Sequence, residues 1–328
     1  MQQAIDIAWR YQLLTYPNPA VGACIVYNNE ILSVEAHNVA GGPHAEVNAI
    51  KMAFLKLNPD SPLQNLEQSF EIHEFLIQNH NNIFHECEIY VTLEPCNHIG
   101  KTPACANLLK ELRFKKVYIG SLDPNNEATG GKITLEQSGV DTEVGVLKDQ
   151  CDDLLFPFLK WHQDRFRFFK LAIRADGTCD GGYITTQDSL NLVHEIRAKL
   201  DLLIIGGNTV RIDRPTLDSR FAKNKKPCDI LIYSKEKEFD QSIPLFNIKN
   251  REVFIDNNLS NYVQKFSMIE GGWSLLETLK NSIDMVMLFV SFKDSKELLF
   301  NPLQYNLKLL YSYQINKFDT LFFYKTLL

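Results

Sequence analysis

Four side chains in the first third of the chain have the types and spacing for metal-assisted hydrolysis. Pro43-His44-Ala45-Glu46 opens a stretch of helical spacing, Glu94-Pro95-Cys96 ends a short apolar run, and Cys105 follows. One imidazole and two thiolates supply three zinc ligands and leave a fourth position for water, as an open catalytic site requires. Zinc lowers the pKa of such a water toward ~7, providing hydroxide at neutral pH. Glu46, two positions after His44, can face that water without ligating, which suits a carboxylate that shuttles protons. Competing readings explain less. A cysteine is more often a small buried apolar residue than a ligand, the expectation for Cys24, Cys87, Cys151, Cys179 and Cys228. A purely structural zinc site lacks a convincing fourth ligand, and a thiol redox pair would need C-x-x-C spacing.

These residues must be positioned by surrounding elements. Apolar spacing predicts an amphipathic helix over 2–14, a hairpin from Val21–Tyr27 and Ile31–His37 around Asn28-Asn29-Glu30, and a helix over His44–Leu57. Residues 57–88 read as a surface insertion, a loop plus one helix. Strand Ile89–Leu93, helix Pro103–Leu112, strand Val117–Gly120 and a turn at Asp123-Pro124-Asn125-Asn126 follow, and a further αβ pair closes near 146. Helical spacing resumes from Lys148 to Trp161, and the pattern then restarts with strand Phe168–Arg174, helix Ser189–Lys199, and strands Leu202–Gly206 and Asp229–Tyr233. Strand Phe266–Ile269, helix Ser274–Lys280, strand Met285–Phe292 and two paired strands over Leu307–Leu328 complete it. Two α/β domains joined near 147–166 are expected.

Composition bounds the function. The 328 residues are 45% hydrophobic and 23% charged, an ordinary globular balance. A formal net charge of −6 argues against a protein that lives on nucleic-acid backbones. No apolar run approaches a membrane span, and Met1 leads into an amphipathic stretch with Asp6 and Arg10, so a cytoplasmic protein is expected. Seven dispersed cysteines are not a secreted disulfide framework.

H-x-E with a later P-C and second cysteine is the mark of zinc nucleobase deaminases, although the general pattern spaces the cysteines more closely. With Asn18-Pro19-Ala20-Val21-Gly22, His37, the run TLEPCNHIGKTPAC (92–105) and Asp123-Pro124-Asn125, the chain resembles the bifunctional deaminase/reductase family of riboflavin biosynthesis. The resemblance implies a cytidine-deaminase-like α/β/α domain over 1–147 with one zinc on His44, Cys96 and Cys105, and Glu46 catalytic. Asn18, His37, His98, Lys101, Asp123 and Asn125 would then hold the aminopyrimidine and its ribose phosphate.

The second half is less explicit. Gly207-Asn208-Thr209 after one strand and Glu270-Gly271-Gly272 after another suit backbone approach to a phosphate, and Arg197, Arg211, Arg214 and Arg220 form a local cluster able to clamp one. A solvated basic face is the plainer alternative. Phe169-Lys170-Leu171, Asp176-Gly177, Tyr183-Ile184-Thr185, the run GGNTVRIDRPTLDSR (206–220) and Glu270-Gly271-Gly272 resemble the family's reductase domain, which is dihydrofolate-reductase-like and uses NADPH. That implies a connector helix over 148–166 and a reductase over 167–328. By resemblance Lys170, Thr185, Arg197, Leu217, Arg220 and Glu270 would contact substrate, and Thr209, Asp213, Ser234, Gly271 and Gly272 the NADPH. Two departures stand out: Arg174-Ala175 replaces the usual Ser-Leu, and the last ~40 residues lack the glycine pair of the family's final strands.

The reading is therefore a bifunctional enzyme: hydrolytic deamination of a phosphoribosylaminopyrimidine, then NADPH reduction of its ribosyl group to ribityl. The expected partner is that small molecule, not nucleic acid or membrane, with a homo-oligomer left open. Alternatives are a deaminase with a decayed reductase half, a nucleic-acid-editing zinc deaminase, and a non-catalytic zinc scaffold in which Glu46 would have no reason to sit beside the metal.

Overall fold

The computed structural model describes residues 1–98, 100, 102–125, 128–293 and 306–327. They divide into Met1–Phe158 and Leu159–Leu328, the break falling inside one long helix.

In the first unit, α1 (Gln2–Trp9) buries Ala4, Ile5, Ala8 and Trp9. It ends at Trp9 rather than near residue 14: residues 10–12 form tighter turns, their N–H groups donating to the carbonyls of Ile7, Ala8 and Trp9, and Leu13 then takes a left-handed φ of 71°. The buried Gln12 amide instead donates to the Leu154 carbonyl at 2.7 Å. Strands β1 (Gly22–Tyr27) and β2 (Glu30–Ala36) form the expected hairpin. Asn28 and Asn29 both have positive φ, the conformation that a tight hairpin loop demands and asparagine tolerates. With β3 (Glu88–Leu93), β4 (Lys116–Ser121) and β5 (Asp141–Val144) they make a sheet of order β2-β1-β3-β4-β5. The β1 pairings are antiparallel, and β3, β4 and β5 run parallel. Helices α2 (Ala45–Leu57), α3 (Ser69–Asn79), α4 (Cys105–Glu111) and α5 (Gly131–Gln137) complete the unit.

The interval read as a surface insertion is partly core. Leu63, Ile72, Leu76 and Phe84 are fully buried in the cluster that holds Ile50 of α2 and Leu108 of α4. The ring of Phe75 stands edge-on to Phe54, 5.9 Å between centroids. Apolar residues three and four apart on α3 give it a stripe that must be covered, and α2 and α4 cover it.

Helix α6 (Lys148–Gln163) leads into the second unit. There β6 (Phe166–Arg174), β7 (Leu202–Gly206), β8 (Asp229–Tyr233), β9 (Val253–Asp256), β10 (Phe266–Glu270), β11 (Met285–Ser291), β12 (Leu307–Gln314) and β13 (Asp319–Thr326) form one sheet. Its order is β12-β13-β11-β6-β10-β7-β8-β9, parallel from β11 to β9 and antiparallel at β13 and β12. Every residue of β11 is buried, the unbroken apolar run expected of a parallel strand covered on both faces. Helices α7 (Gln187–Arg197), α8 (Gly207–Asp213) and α9 (Trp273–Leu279) connect the strands. Sequence periodicity shows neither α8, which starts on a glycine pair that reads as a turn, nor β9, four residues long and half-buried throughout. Among the described residues no helix is long and apolar enough to cross a membrane.

Candidate active site

The parallel pair β3–β4 sends two segments out from its carboxyl ends, 94–98 and 122–125, and the amino end of α2 faces them. His44 is the residue before α2, in extended conformation, and Glu46 falls in the first turn. Cys96 follows β3 and Cys105 begins α4, where its N–H points at the Cys96 sulfur, 3.4 Å away. His44 Nδ1 lies 3.5 Å from Cys96 Sγ and 3.4 Å from Cys105 Sγ. The three ligand atoms all fall within 4.8 Å of one another. One nitrogen and two sulfurs, converging, the cysteines buried and the histidine half-buried, fit a soft or borderline divalent metal. The hydrogen bond from Cys105 and the neighbouring His44 hold the Cys96 thiol far below its ordinary value, while burial pushes the Glu46 carboxyl up to about 7.

A cavity of about 350 Å³ opens on this cluster. Asn18, His37, His44, Glu46, Cys96, His98, Asp123 and Asn125 all line it, while Cys105 is fully buried. His37 Nδ1 is 3.0 Å from the Pro43 carbonyl, which can only accept, so Nε2 carries the lone pair that meets Asn18 Nδ2 at 3.1 Å. Burial pushes His37 down to about 4, so the ring is neutral at pH 7. Asp123 Oδ1 accepts from the Asn125 N–H at 2.9 Å, which sets the turn. Lys101 lies outside the described residues.

Two supporting residues are not singled out by the sequence reading. Glu94, buried just after β3, accepts from the N–H groups of Asp123, Gly130 and Lys132 and from the Thr129 hydroxyl, at 3.0–3.2 Å. It ties the Asp123 turn and the start of α5 to the segment carrying Cys96. The only signal for it is a carboxylate placed next to Pro95-Cys96. Thr102, from the loop between the two cysteines, has its hydroxyl 3.2 Å from His44 Nε2.

In the second unit several of the sequence-predicted residues lie at the carboxyl ends of neighbouring parallel strands, where open α/β sheets bind ligands. Lys170 of β6 is level with Glu270 at the end of β10, Gly207 and Thr209 follow β7, Ser234 follows β8, and Gly271-Gly272 follow β10. A Cβ on Gly207 would come within 2.7 Å of Ser234, so the β7 and β8 ends approach closely. Arg197, the last residue of α7, grips Glu270 through both carboxylate oxygens at 2.8 and 2.7 Å. Its Nη1 also donates to the Asp218 carbonyl. Against burial, which raises it, Arg197 and Lys170 hold the Glu270 carboxyl at about 2, and burial lowers Lys170. Thr185 is buried beside the start of α7, Leu217 is buried at a left-handed φ of 54°, and Asp213 and Arg220 are exposed.

The arginine cluster read as one clamp is divided. Arg211 pairs with Glu236, Arg214 with Asp240 and Arg220 with Asp218, at 2.6–2.8 Å, so each cation has its own carboxylate. Local spacing places arginines near one another in sequence but does not say which acids reach them.

The pattern of the cytidine and deoxycytidylate deaminase zinc-binding region matches residues 1–121. Riboflavin biosynthesis protein RibD of Actinobacillus pleuropneumoniae is 35% identical over 243 residues, 72% of this chain and 57% of that protein. Its counterpart in Bacillus amyloliquefaciens is 32% identical over 244 residues, 72% of this chain and 58% of that protein. The chain thus matches somewhat over half the length of these relatives. The solved structure of Acinetobacter baumannii RibD, form 1, is similar over 99% of this chain and 98% of that one, at 26% identity and a TM-score of 0.61. A Thermotoga maritima structure, described as a diaminohydroxyphosphoribosylaminopyrimidine deaminase/5-amino-6-(5-phosphoribosylamino)uracil reductase, shares the fold at a TM-score of 0.63 and 24% identity, over 100% of this chain and 97% of that one. Fold and site define a cytidine-deaminase-like α/β/α domain followed by a dihydrofolate-reductase-like α/β domain. The chain belongs to the bifunctional deaminase/reductase family of riboflavin biosynthesis.

Proposed function

We propose that residues 1–147 are a zinc-dependent pyrimidine deaminase, 148–166 a connector made mostly of helix α6 and 167–328 an NADPH-dependent reductase, acting in sequence in the cytoplasm. The first hydrolyses the 2-amino group of 2,5-diamino-6-(5-phosphoribosylamino)pyrimidin-4(3H)-one. The second reduces the ribosyl group to ribityl, giving 5-amino-6-(5-phosphoribitylamino)uracil. The observation carrying this reading is that His44, Cys96 and Cys105 converge beside Glu46, on a cavity that also holds Asn18, His37, His98, Asp123 and Asn125.

His44, Cys96 and Cys105 would hold zinc, which supplies a water acidified toward pKa ~7. Glu46 takes a proton from the attacking water and delivers it to the ring nitrogen, then takes the remaining proton of the new hydroxyl and delivers it to the departing amine. A C–O bond forms, the C–N bond breaks and ammonia leaves. Burial favours the protonated form of this carboxyl, which suits a group that takes up a proton and passes it on. Asn18, oriented by neutral His37, and Asn125, oriented by Asp123, offer polar groups to the substrate. His98 and Lys101 complete the set that holds the aminopyrimidine and its ribose phosphate.

In the second domain NADPH would supply hydride to C1 of the opened ribose. Thr209, Asp213, Ser234, Gly271 and Gly272 hold the cofactor, and the carboxyl-end position of most of them supports this. Lys170 and Glu270 grip sugar oxygens, Thr185 and Leu217 contact the substrate, and Arg197 and Arg220 serve the phosphate. Arg220, 54% exposed at its side chain, is the more accessible cation.

The test is to supply the purified chain with the diaminopyrimidine phosphate and follow ammonia release and NADPH oxidation separately. Glu46→Gln should retain about one zinc per chain while losing roughly 10²–10⁴-fold in ammonia release. Lys170→Met should deaminate normally and oxidise NADPH far more slowly. Near wild-type deamination by Glu46→Gln would remove the proton-transfer role. A wild-type chain that deaminates but oxidises no NADPH would leave a deaminase alone.

A further inference from the structure

A neutral imidazole has one proton and one lone pair, so a metal-ligating histidine needs something to keep the proton on the far nitrogen. His44 presents Nδ1 to the two sulfurs and Nε2 to Thr102, whose Oγ1 is 3.2 Å away. Thr102 is 7% exposed, so at that position a protein hydroxyl stands where solvent would otherwise serve. The loop holding it is itself braced, since the Gly100 N–H donates to the Thr102 carbonyl at 3.1 Å. The Cys105 N–H and the Ala106 N–H, bound to the Cys96 sulfur and carbonyl, fix the cysteine segment. Backbone bonds therefore set the sulfurs, whereas the histidine ring meets a side chain.

We propose that Thr102 is a positioning residue: its hydroxyl accepts the Nε2 proton of His44 and so holds the ring in the orientation and tautomer whose Nδ1 lone pair faces the metal position. This rests on reading His44, Cys96 and Cys105 as a zinc site. It also gives the loop between the cysteines a purpose beyond spacing them, because that loop brings the hydroxyl behind the imidazole. Outer partners of this kind are worth about 10- to 100-fold in metal affinity.

Thr102→Val keeps the shape and removes the hydroxyl, and Thr102→Ser keeps the hydroxyl and removes the methyl. Zinc affinity of the full chain, measured by competition with a chromophoric chelator, should fall about 10- to 100-fold in Thr102→Val and stay within about threefold in Thr102→Ser. Long-range proton–nitrogen correlation spectra of the zinc-loaded wild type, labelled only at its histidines, should show His44 protonated at Nε2. In Thr102→Val that proton should exchange faster with solvent. Unchanged affinity in Thr102→Val, equal weakening in both variants, or wild-type His44 protonated at Nδ1 would each overturn the assignment, the last without any variant. A wild type that takes up no zinc would overturn the metal reading, and this one with it. Tight wild-type binding that ignores the hydroxyl would overturn the role of Thr102 alone.

Discussion

Removing the charge at Glu270 tests whether its ion pair with Arg197, at the proposed reductase site, is as costly to break as its burial demands. Arg197 and Glu270 are only 13% and 12% exposed at their side chains and share two short bonds. Glu270 sits at about 2 rather than 4.5, because Arg197 and Lys170 outweigh the burial that would raise it. That distance, at about 1.4 kcal/mol per pH unit, amounts to about 3 kcal/mol. Breaking buried pairs by losing one partner independently suggests about 3–5 kcal/mol. A carboxyl whose folded pKa is depressed contributes fully above its unfolded value and loses that contribution as pH falls through the folded one. Glu270→Gln should therefore cost about 3 kcal/mol at pH 7, with the difference from wild type constant down to about pH 5 and shrinking from 4.5 toward 2. In a unit of this size that lowers Tm by about 6–12 °C. Trp161 and Trp273 belong to the second unit, so urea denaturation followed by tryptophan fluorescence at several pH values, beside calorimetry, reads the effect. A loss below about 1 kcal/mol at pH 7, or a difference that does not narrow in acid, would show that the pair behaves as an exposed one.

Cys105→Ser should lose stoichiometric metal in elemental analysis, because a hydroxyl does not replace a buried thiolate ligand. Glu94→Gln keeps the shape but weakens four accepted hydrogen bonds, and should lower first-unit stability by about 2 kcal/mol and loosen the Asp123 turn, seen as faster amide exchange at Asp123, Gly130 and Lys132. Asp319→Asn should fray the start of α7, whose Thr186 N–H and Thr186 and Ser189 hydroxyls all donate to one Asp319 oxygen at 2.6–2.7 Å. Calorimetry should register about 2 kcal/mol and exchange should rise at 186–190. Gly131→Ala places a Cβ 1.8 Å from the Pro95 carbonyl oxygen, a backbone clash expected to cost about 1–3 kcal/mol and to disturb the Cys96 segment, read as a lower Tm and weaker zinc retention.

The candidate metal triad was legible in the sequence because few residue types bind such an ion, and His44, Cys96 and Cys105 carry that chemistry wherever the chain takes them. The hairpin at Asn28-Asn29 and the strands Leu202–Gly206 and Asp229–Tyr233 were legible too, since turn conformation and continuous burial act over a few neighbouring residues. Tertiary structure alone decided which distant groups meet. Arg197 reaches Glu270 because β10 lies between β6 and β7, an order that no local periodicity encodes. Asp319 supports a helix start more than a hundred residues earlier because β13 runs beside β11. The interval 57–88 looked like a surface addition because its sequence is polar on average. Burial follows the one face that α2 and α4 cover, so Ile72 and Leu76 became core. Sequence patterns report what each segment prefers, whereas pairing at long separation depends on strand order and on which charged group must find a partner once water is excluded.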